Sequence, residues 1–406
     1  MIGPDEAWSI VLRYVQPLPP VEVTLEDALG CCLAEPVRAD RDIPAEDRSA
    51  MDGYAVRSAD LQSAPRELRL VGEVAAGNPA DLMVVPGSCV RIYTGASIPP
   101  GADAVAILEQ AEEREGWVSF RKPVAAGENI FRRGEDAREG DELLPAGTRV
   151  GGVEIGICAA VGKSRVLVYR PPRVAILCTG TELVAHDRIP PPGSVRNSLG
   201  PALAATLRQW GFPAARYRII PDRPSAVRSA LRRCLRSADL VLITGGVSAG
   251  RYDCVPEALA AIGATIHFHR VAMKPGKPSL YATFGENQHI FGLPGNPLSS
   301  LTTLHEFALP ALRRLSGLPV SSCRPGLRVT LAEPLPRPAG RLRYHLARLD
   351  WGDGAPKAIP VRSQSSADLP SAGRAEGVIL LRPAPGTPEA GESVEFRPWG
   401  PWPWRA

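Results

Sequence analysis

Runs of apolar residues alternate with helical patterns along the second half of the chain. The predicted order is strand Val174–Leu177, helix Pro201–Trp210, strand Tyr217–Ile220, helix Pro224–Arg236 and strand Asp239–Ile243. Strands and helices that alternate in this way build a mostly parallel sheet with helices on its faces. The pattern therefore predicts an α/β sheet domain over residues 171–322.

The segment Leu298–Arg314 has the spacing of one long amphipathic helix. Its apolar face consists of Leu301, Leu304, Ala308 and Leu312. Residues three and four apart lie on the same side of a helix. We expect this face to pack in the core, and we assign it no chemistry.

The amino-terminal region predicts two helices, over residues 4–16 and 24–34. The second would begin at Thr24 as its N-cap, with Asp27 three positions later, the spacing of a capping box. Neither segment has an obvious core of its own.

Short strand-like runs separated by Gly and Pro fill residues 47–136, and helical spacing returns over 147–161. The runs are Glu67–Val74, Ser88–Tyr93 and Ala104–Glu109. This pattern predicts a β-rich domain, 47–136, that interrupts a helical segment, which resumes after it.

Residues 323–406 contain short strands with frequent Pro and Gly, which is typical of a small β-barrel or sandwich, and we expect a carboxyl-terminal β-barrel. The strands are Leu327–Leu331, Arg343–Leu349 and Gly377–Leu381. The last residues, RPWGPWPWRA, predict a partly disordered tail because prolines interrupt regular structure. The fold class expected for the whole chain is thus multi-domain α/β plus β.

Composition and residue spacing argue against a nucleic-acid-binding, zinc-binding, secreted or membrane protein. The chain has 406 residues and a net charge of only +4, so nothing in it requires nucleic acid. Its eight cysteines show no CxxC spacing, its histidines no HExxH spacing, and its first residues no secretory pattern. No apolar run approaches the ~20 residues needed to cross a bilayer. We expect a cytoplasmic protein that binds neither zinc, nucleic acid nor membrane.

Three predicted strands of the α/β domain run into loops of small residues. In chain order the loops contain Thr179, Gly180 and Glu182; Thr244, Gly245, Gly246 and Ser248; and Pro294, Gly295, Asn296 and Pro297. Glycine allows close backbone approach, and the free N–H groups at a following helix bind anions. Each loop alone could equally be a plain turn. Together they predict one phosphate-binding crevice at the carboxyl edge of the sheet.

Glu182 and Asp253 are the candidate metal ligands in these loops. Mg²⁺ commonly takes one or two carboxylates together with phosphate oxygens and water. Asp253 could instead cap the helix that begins near Val255. For Asp222 the helix cap is the first interpretation and a site residue the second.

Lys274 and Lys277 lie three residues apart in MKPGKP, in a chain with only five lysines and abundant arginine. Lysine is a compact charge that suits a tetrahedral oxyanion or phosphate. We favour an anion site over the alternative of two solvated surface lysines.

The order of the motifs closely resembles the molybdopterin molybdenumtransferase (MoeA) family, whose animal relative is the carboxyl-terminal part of gephyrin. The motifs are DRSAMDGYAV, VRIYTGASIPPGAD, GENIFRRGED, CTGTELV, ITGGVSAGRYD, VAMKPGKP and GLPGNPLSS. The resemblance spans nearly the whole chain and becomes weaker after Cys323. It implies that residues 1–46 and 137–170 together form an elongated helical linker domain.

The resemblance implies insertion of molybdenum into adenylylated molybdopterin with release of AMP, the final step of molybdenum cofactor synthesis. Molybdate and the adenylylated pterin would be the substrates, Mg²⁺ the cofactor, and molybdopterin adenylyltransferase the upstream partner. Lys274 and Lys277 would help to form the site for the pterin phosphate and molybdate, with Glu182 and Asp253 as further catalytic residues.

By the same resemblance, Asp52, Thr94 and Asp136 reach the crevice of a second subunit. Asp52 and Asp136 would be catalytic and Thr94 substrate-binding. The protein would be a homodimer whose active sites are each shared between subunits. From the residues alone, a turn-stabilising role is a fair alternative for each of the three.

The chain departs from the family pattern near its carboxyl end. Leu346 stands where an Arg is expected, flanked by Arg343 and Arg348, and the expected Ser is matched by Ser366 or, failing that, Ser365. Both expected residues would contact the oxyanion.

Two other functions remain open from the sequence. The chain could be a molybdopterin adenylyltransferase, or a non-catalytic scaffold resembling gephyrin. Terminal domains argue against the first, and the complete MKPGKP loop argues against the second. The sequence does not distinguish molybdate from tungstate, because the two oxyanions share shape and charge.

Overall fold

The computed structural model describes residues 1–78, 80–212, 216–247, 254–352, 354–384, 386 and 388–401. The chain folds into two compact units. One comprises Met1–Ala34, Gly147–Gly151 and Val166–Ala406, and the other Glu35–Ala146 and Gly152–Arg165. No helix in the described ranges is long and apolar enough to cross a membrane.

A six-stranded sheet forms the centre of the first unit. Its order is Arg216–Ile220, Val174–Thr179, Leu240–Thr244, Gln288–Leu293, Leu280–Phe284 and Thr265–His269. The first four strands are parallel, and the last two pair antiparallel. The α/β sheet predicted from the sequence is therefore confirmed.

Side chains alternate between the two faces of this sheet, and both faces are buried. Leu240 and Leu242 belong to one hydrophobic cluster, whereas Val241 and Ile243 belong to another. Helices Leu199–Gln209, Pro224–Cys234 and Val255–Ile262 are among those that supply residues to these clusters. Burial on both faces explains the continuous apolar run of the central strand.

A helical segment follows the third crevice loop, as Pro297–Thr303, a π-helical turn Leu304–Ala308, and Leu309–Leu315. The four residues predicted to form its apolar face are all buried. Within the π turn, Glu306 is only 2% exposed and forms ion pairs with Arg324 and Arg397. A short helix, Val320–Cys323, ends this part of the chain.

Five strands close into a barrel after this helix. They are Leu327–Leu331, Leu342–Asp350, Lys357–Pro360, Gly377–Leu381 and Ser393–Pro398. Leu342–Asp350 pairs with both Lys357–Pro360 and Gly377–Leu381, which closes the ring. The short strand Met273–Lys274 adds to the barrel beside Leu342 and Arg343. A one-turn helix, Leu369–Ala372, lies between two of the strands.

The amino-terminal part of the first unit contains helix Pro4–Tyr14 and strand Pro20–Thr24, which pairs with Arg165–Tyr169. The predicted second helix, 24–34, is wrong, because the segment forms turns followed by bridge residues. The Thr24–Asp27 hydrogen bonds are present, but they close a turn.

Two features explain why the turn does not continue as a helix. Gly30 has a φ of +80°, which breaks helical geometry. Cys32 and Leu33 are buried, but as bridge partners of Arg149 and Val168, so this part of the segment is extended. The local capping pattern is therefore overridden by pairing with residues far away in the chain.

The second unit contains a six-stranded sheet. Its order is Ala104–Ile107, Gly53–Val56, Ser88–Ile92, Arg66–Val74, Trp117–Phe120 and Ala111–Arg114. Two short ribbons accompany it, Val37–Arg38 with Glu142–Leu144 and Arg48–Ser49 with Ile130–Phe131. Helix Gly152–Ala160 is shorter than the helical pattern over 147–161. Tyr54 and Phe120 pack edge to face in the core of the sheet.

Candidate active site

Three parallel strand ends meet at one crevice in the first unit. Strands Val174–Thr179, Leu240–Thr244 and Gln288–Leu293 are neighbours, so their carboxyl ends lie at the same edge. The cavity there has a volume of about 710 Å³. Among its lining residues are Thr179, Glu182, Thr244, Gly245, Gly246, Pro294, Gly295, Asn296 and Pro297. The structure thus brings the three small-residue loops together.

Glycine is required in the second loop because its backbone approaches the first loop closely. Gly245 and Gly246 have φ values of +80° and +62°. A Cβ on Gly245 would lie 2.6 Å from the carbonyl oxygen of Thr179. The Gly245 N–H donates to the carbonyl of Leu293, and the Thr179 hydroxyl donates to that of Thr244. These contacts hold the three loops together at the base of the crevice.

Two described carboxylates line the crevice, Glu182 and Asp222. The Glu182 carboxylate lies against Gly180, within 2.8 Å of where a Cβ would stand on that glycine. Asp222 Oδ1 is 3.4 Å from the corresponding Cβ position on Gly246, and it accepts a hydrogen bond from the Cys254 thiol. Ser248 and Asp253, the other candidates from the second loop, lie outside the described residues.

The cap role given first to Asp222 is wrong. Helix Pro224–Cys234 has Arg223 at its N-cap position, and no side chain caps it. Asp222 instead lines the crevice, so its second interpretation fits the geometry. Proline at the first helical position removes one free N–H, which reduces the need for a capping carboxylate.

The third loop is tied to a turn near the barrel. Asn296 is the N-cap residue of helix Pro297–Thr303, but its side chain makes no cap bond. Its Nδ2 donates instead to Ser366 Oγ, and the Leu298 N–H donates to the Ser366 carbonyl. Ser365 has a different role, because its Oγ accepts from the Ala367 N–H within the turn.

The loop that carries Lys274 and Lys277 is closely constrained. The Arg270 and Val271 N–H groups donate to the carbonyls of Ser279 and Lys277, which closes the loop at its base. Both lysine side chains are exposed, and neither forms an ion pair within the described ranges. Pro278, next to Lys277, lines the crevice.

Gly276 and Ser279 hold the tip of this loop in place. Gly276 has a φ of +106°, and a Cβ on it would meet Met273 and Thr303 at about 3 Å. The Ser279 hydroxyl donates to the Gly276 carbonyl and lies 3.0 Å from the Thr303 hydroxyl. The lysines therefore extend from a backbone of fixed shape.

Leu346 is buried in the core, with 2% of its surface exposed. It packs in the same cluster as Met273 and Tyr344, and its carbonyl accepts from the Val361 N–H. Position 346 therefore supplies no charge in this chain. Arg343 is partly exposed on the same strand, and Arg348 is exposed.

Asp52 and Thr94 form a contact within the second unit. Asp52 Oδ1 accepts from both the backbone N–H and the hydroxyl of Thr94, at 2.7 and 2.8 Å. These two hydrogen bonds, the backbone one first, lower the pKa of the Asp52 carboxyl. Asp136 is exposed in the same unit, and its N–H donates to the Ile43 carbonyl.

Sequence reasoning missed part of the crevice wall. The ribbon formed by Leu183–Val184 and Val195–Arg196 lines the cavity, as does Asn197. Asn197 is 2% exposed, and its Oδ1 accepts from the Gly200 N–H at the start of helix Leu199–Gln209. The Asn-Ser pair before that helix is an N-cap signal from which the position could have been found.

No group of three or more His, Cys, Asp or Glu side chains within the described part of the chain forms a metal site by itself. The crevice offers two carboxylates, Glu182 and Asp222. Hard oxygen donors of this number suit Mg²⁺ when phosphate oxygens complete the coordination. The residues present therefore fit a magnesium ion that binds together with a phosphorylated ligand.

Three family models match successive parts of the chain. They describe the MoeA N-terminal region (domain I and II) over residues 2–162, a probable molybdopterin binding domain over 175–314, and the MoeA C-terminal region (domain IV) over 328–399. The fold and its crevice thus define a multi-domain protein of the molybdopterin-binding class.

Relatives of known name extend this match to the full length. A molybdopterin molybdenumtransferase of Staphylococcus epidermidis is 33% identical over 385 residues, 94% of this chain and 91% of the relative. One from Nostoc sp. is 40% identical over 302 residues, 73% of this chain and 69% of the relative. The chain belongs to the molybdopterin molybdenumtransferase (MoeA) family.

Solved structures agree with this assignment. A molybdopterin biosynthesis moeA protein from Pyrococcus horikoshii has a TM-score of 0.84 at 27% identity, and the match covers 98% of this chain and 100% of that one. The fold described above is therefore similar to that of the MoeA structure throughout its length.

Proposed function

We propose that the protein inserts molybdenum into adenylylated molybdopterin and releases AMP. The observation that carries this proposal is the crevice, where three phosphate-type loops meet at one sheet edge beside a lysine-bearing loop. Relatives named for the same reaction match over nearly the whole chain. Cleavage of the AMP–pterin bond by water would be coupled to ligation of molybdenum by the dithiolene sulfurs of the pterin.

The residues have distinct tasks in this proposal. Within the loop at Thr244–Gly246, the Gly246 N–H is the donor offered to phosphate oxygens, because the Gly245 N–H already donates to the Leu293 carbonyl. Lys274 and Lys277 supply positive charge for the oxyanion and the pterin phosphate. No protein nucleophile is needed, because water attacks and the leaving group is AMP.

Mg²⁺ would offset the charge of the pyrophosphate between AMP and the pterin. Glu182 and Asp222 are the described carboxylates that could hold it, directly or through its waters, and Asp253 is the third candidate. Thr179, Gly180, Pro294, Gly295 and Pro297 shape the crevice, whereas Asn296 and Ser366 fix one wall through their mutual hydrogen bond.

A homodimer in the cytoplasm belongs to the same proposal. Asp52, Thr94 and Asp136 lie outside the unit that holds the crevice. They would contribute to a partner's crevice, where Asp52, an exposed side chain, would supply a carboxylate. Molybdopterin adenylyltransferase, which makes the substrate, is the expected upstream partner.

AMP release from adenylylated molybdopterin tests the proposal. Purified protein should release AMP with molybdate and Mg²⁺, and a parallel reaction with tungstate would measure its oxyanion preference. An adenylyltransferase would instead consume ATP with free molybdopterin. A scaffold would bind the adenylylated pterin without cleaving it, and either result would reject the proposed reaction.

A further inference from the structure

The first unit contains a second cavity, with a volume of about 600 Å³. No described residue lines both this cavity and the crevice. Its volume falls in the range of small-molecule sites, about 300–1,000 Å³. We name it the aromatic cavity, and its lining includes Ala202, Thr206, Gln209, His305, Glu376 and Trp399.

Two aromatic rings stack in the wall of the aromatic cavity. The ring centroids of His305 and Trp399 lie 5.5 Å apart, and the ring planes are inclined by only 7°. Burial, with a smaller contribution from Arg313, lowers the pKa of His305 to about 3, so the imidazole is uncharged near neutral pH. Flat π surfaces favour a planar ligand ring, which packs on them in an offset or edge-to-face arrangement.

Two polar side chains reach the aromatic cavity from helix Leu199–Gln209. Thr206 and Gln209 lie on the same face of this helix as Ala202, because residues three and four apart share a face. Within the described ranges, neither side chain has a hydrogen-bond partner. Both are therefore available to a ligand as donors and acceptors.

Glu376 supplies a carboxylate that three hydrogen bonds hold in position. Its Oε2 accepts from the Leu349 N–H at 2.6 Å, and its own N–H donates to the Ala347 carbonyl. Its carbonyl accepts from the N–H of Trp399, which also lines the cavity. Oε1 has no hydrogen-bond donor among the described residues. A fixed carboxylate oxygen is a strong acceptor for an N–H group of a ligand.

The charge of the lining disfavours anionic ligands. Glu376 is the only ionised side chain among the described residues of the wall, which contains no lysine or arginine. A phosphate or another oxyanion would be repelled by this carboxylate and would meet no cation. An uncharged ring with N–H donors would instead find both an acceptor and aromatic surface. The aromatic cavity therefore selects a different class of ligand from the crevice.

We propose that the aromatic cavity binds an uncharged, planar, bicyclic nitrogen heterocycle of the purine or pterin type. The ring packs against Trp399 and His305, and a ring N–H or an amino group donates to Glu376 Oε1. Thr206 and Gln209 bond to other polar atoms at the edge of the ring. The ligand is the free heterocycle and not its phosphorylated form, so this inference does not rest on the proposed reaction.

Isothermal titration calorimetry of the full chain with adenine and with 6-hydroxymethylpterin tests this site. Ala202→Leu enlarges a side chain in the cavity wall and should weaken binding by about tenfold or more. Ala205→Leu is the matched control, because it makes the same change at an exposed position of the same helix outside the lining. Glu376→Gln should weaken binding by about tenfold, the effect of losing one hydrogen bond to a charged group.

Two comparisons of probes identify the ligand class. The tighter of the two uncharged probes shows whether the cavity prefers a purine or a pterin ring. Pterin-6-carboxylate has the same ring as 6-hydroxymethylpterin but adds a negative charge. It should bind more weakly by about tenfold or more, because Glu376 repels it and no cation compensates.

Several results would overturn the inference. One is the absence of saturable binding of either uncharged probe. Another is equal affinity in wild type, Ala202→Leu and Glu376→Gln, which would place the probes elsewhere. Equal affinity for the anionic pterin would reject selection by charge. Binding by a chain that ends at Pro401, but not by the full chain, would make the residues after Pro401 the occupant.

Circular dichroism checks that each variant is folded. If Ala202→Leu does not fold, Trp399→Leu replaces it, since this change removes a stacking ring and should also weaken binding. Calorimetry requires neither molybdate nor AMP release. A protein without the proposed activity would therefore still decide whether the aromatic cavity binds a heterocycle.

Discussion

Asn296 Nδ2 donates a 2.9 Å hydrogen bond to Oγ of Ser366, a residue 70 positions later in the chain. A second bond, from the Leu298 N–H to the Ser366 carbonyl, reinforces the contact. Together they attach the third crevice loop to a turn that precedes the short helix Leu369–Ala372. One wall of the crevice is therefore positioned by a residue outside the sheet domain.

Replacing Ser366 with Ala should lower activity more than stability. The lost bond is exposed, so the free energy of unfolding should change by only about 0.5 kcal/mol. Asn296 would lose its acceptor, and AMP release should fall severalfold. Ser365→Ala is the matched control, since the Ser365 hydroxyl accepts from the Ala367 N–H within the turn. Equal activity of the two variants would show that the Asn296 contact is not needed.

Replacing both Lys274 and Lys277 with Ala should leave the fold intact and abolish most AMP release. Both side chains are exposed, and the loop shape depends on Gly276 and Ser279 instead. Lys357→Ala, at an exposed barrel position, is the control. Circular dichroism and an AMP assay give the two measurements. Wild-type turnover in the double variant would show that the two lysines do not form an anion site.

Magnesium dependence should change when the crevice carboxylates are neutralised. Glu182→Gln, Asp222→Asn and Asp253→Asn each keep the size of the side chain. Loss of a ligand, or of an anchor for metal-bound water, should raise the Mg²⁺ concentration for half-maximal AMP release by at least ~10-fold. Binding of the adenylylated pterin should persist through backbone N–H groups and lysines. A variant with unchanged Mg²⁺ dependence has no role at the metal.

Asp253→Asn also separates metal binding from helix capping. Asn caps a helix about as well as Asp, so a mere cap would leave stability and activity unchanged. A stable protein with low AMP release supports the metal role. Full activity would reject it.

Mixing two inactive variants tests whether subunits share an active site. Asp52→Ala and Asp253→Ala should each be inactive, but exchange of subunits would create one site with neither substitution. Up to about a quarter of wild-type activity is expected if subunits mix at random and half of the sites in the mixed dimers are intact. Native mass spectrometry confirms that mixed dimers form. Inactive mixed dimers would exclude completion of the site by a partner.

Stability should fall in acid through Asp239, which is 6% exposed. Burial alone would raise its pKa, but hydrogen bonds from Arg170 and Arg173 outweigh burial and lower the pKa to about 2. A folded-state pKa below the unfolded value of ~3.9 stabilises the fold above that pH. This contribution, up to about 2 kcal/mol, is lost as the pH falls from about 4 to 2.

Urea unfolding of Asp239→Asn at pH 7 and pH 2.5 measures this contribution. The variant should be less stable than wild type at pH 7, and the difference should shrink at pH 2.5. Asp187→Asn, at an exposed carboxylate, is the control. A constant difference at both pH values would show that ionisation of Asp239 does not contribute.

The sequence predicted the sheet because its strands carry strong, uninterrupted apolar runs. Val241 and Ile243 pack in one hydrophobic cluster, and Leu240 and Leu242 pack in the other. The unbroken apolar run in the sequence therefore already indicates that both faces of the strand are buried. The carboxyl ends of parallel strands share an edge, which made the crevice predictable too.

Other features depend on contacts that a local pattern does not encode. The segment 24–34 has the capping spacing of a helix, but Cys32 and Leu33 form bridges with Arg149 and Val168, which are far away in the chain. Asp222 precedes a helix and resembles a cap, yet it points to the crevice, because strand Arg216–Ile220 ends beside Val174–Thr179. The neighbour of Lys274 could not be predicted, since the ladder joins positions 69 residues apart.

The strand Met273–Lys274 belongs both to the lysine-bearing loop and to the sheet of the barrel. Its ladder partners are barrel residues, whereas the loop tip rests on Thr303 of the helix that leaves the crevice. The backbone that carries the lysines is therefore positioned both by the barrel and by helix Pro297–Thr303. Grafting a relative's barrel onto this chain would alter the anion-binding loop even if every loop residue were kept.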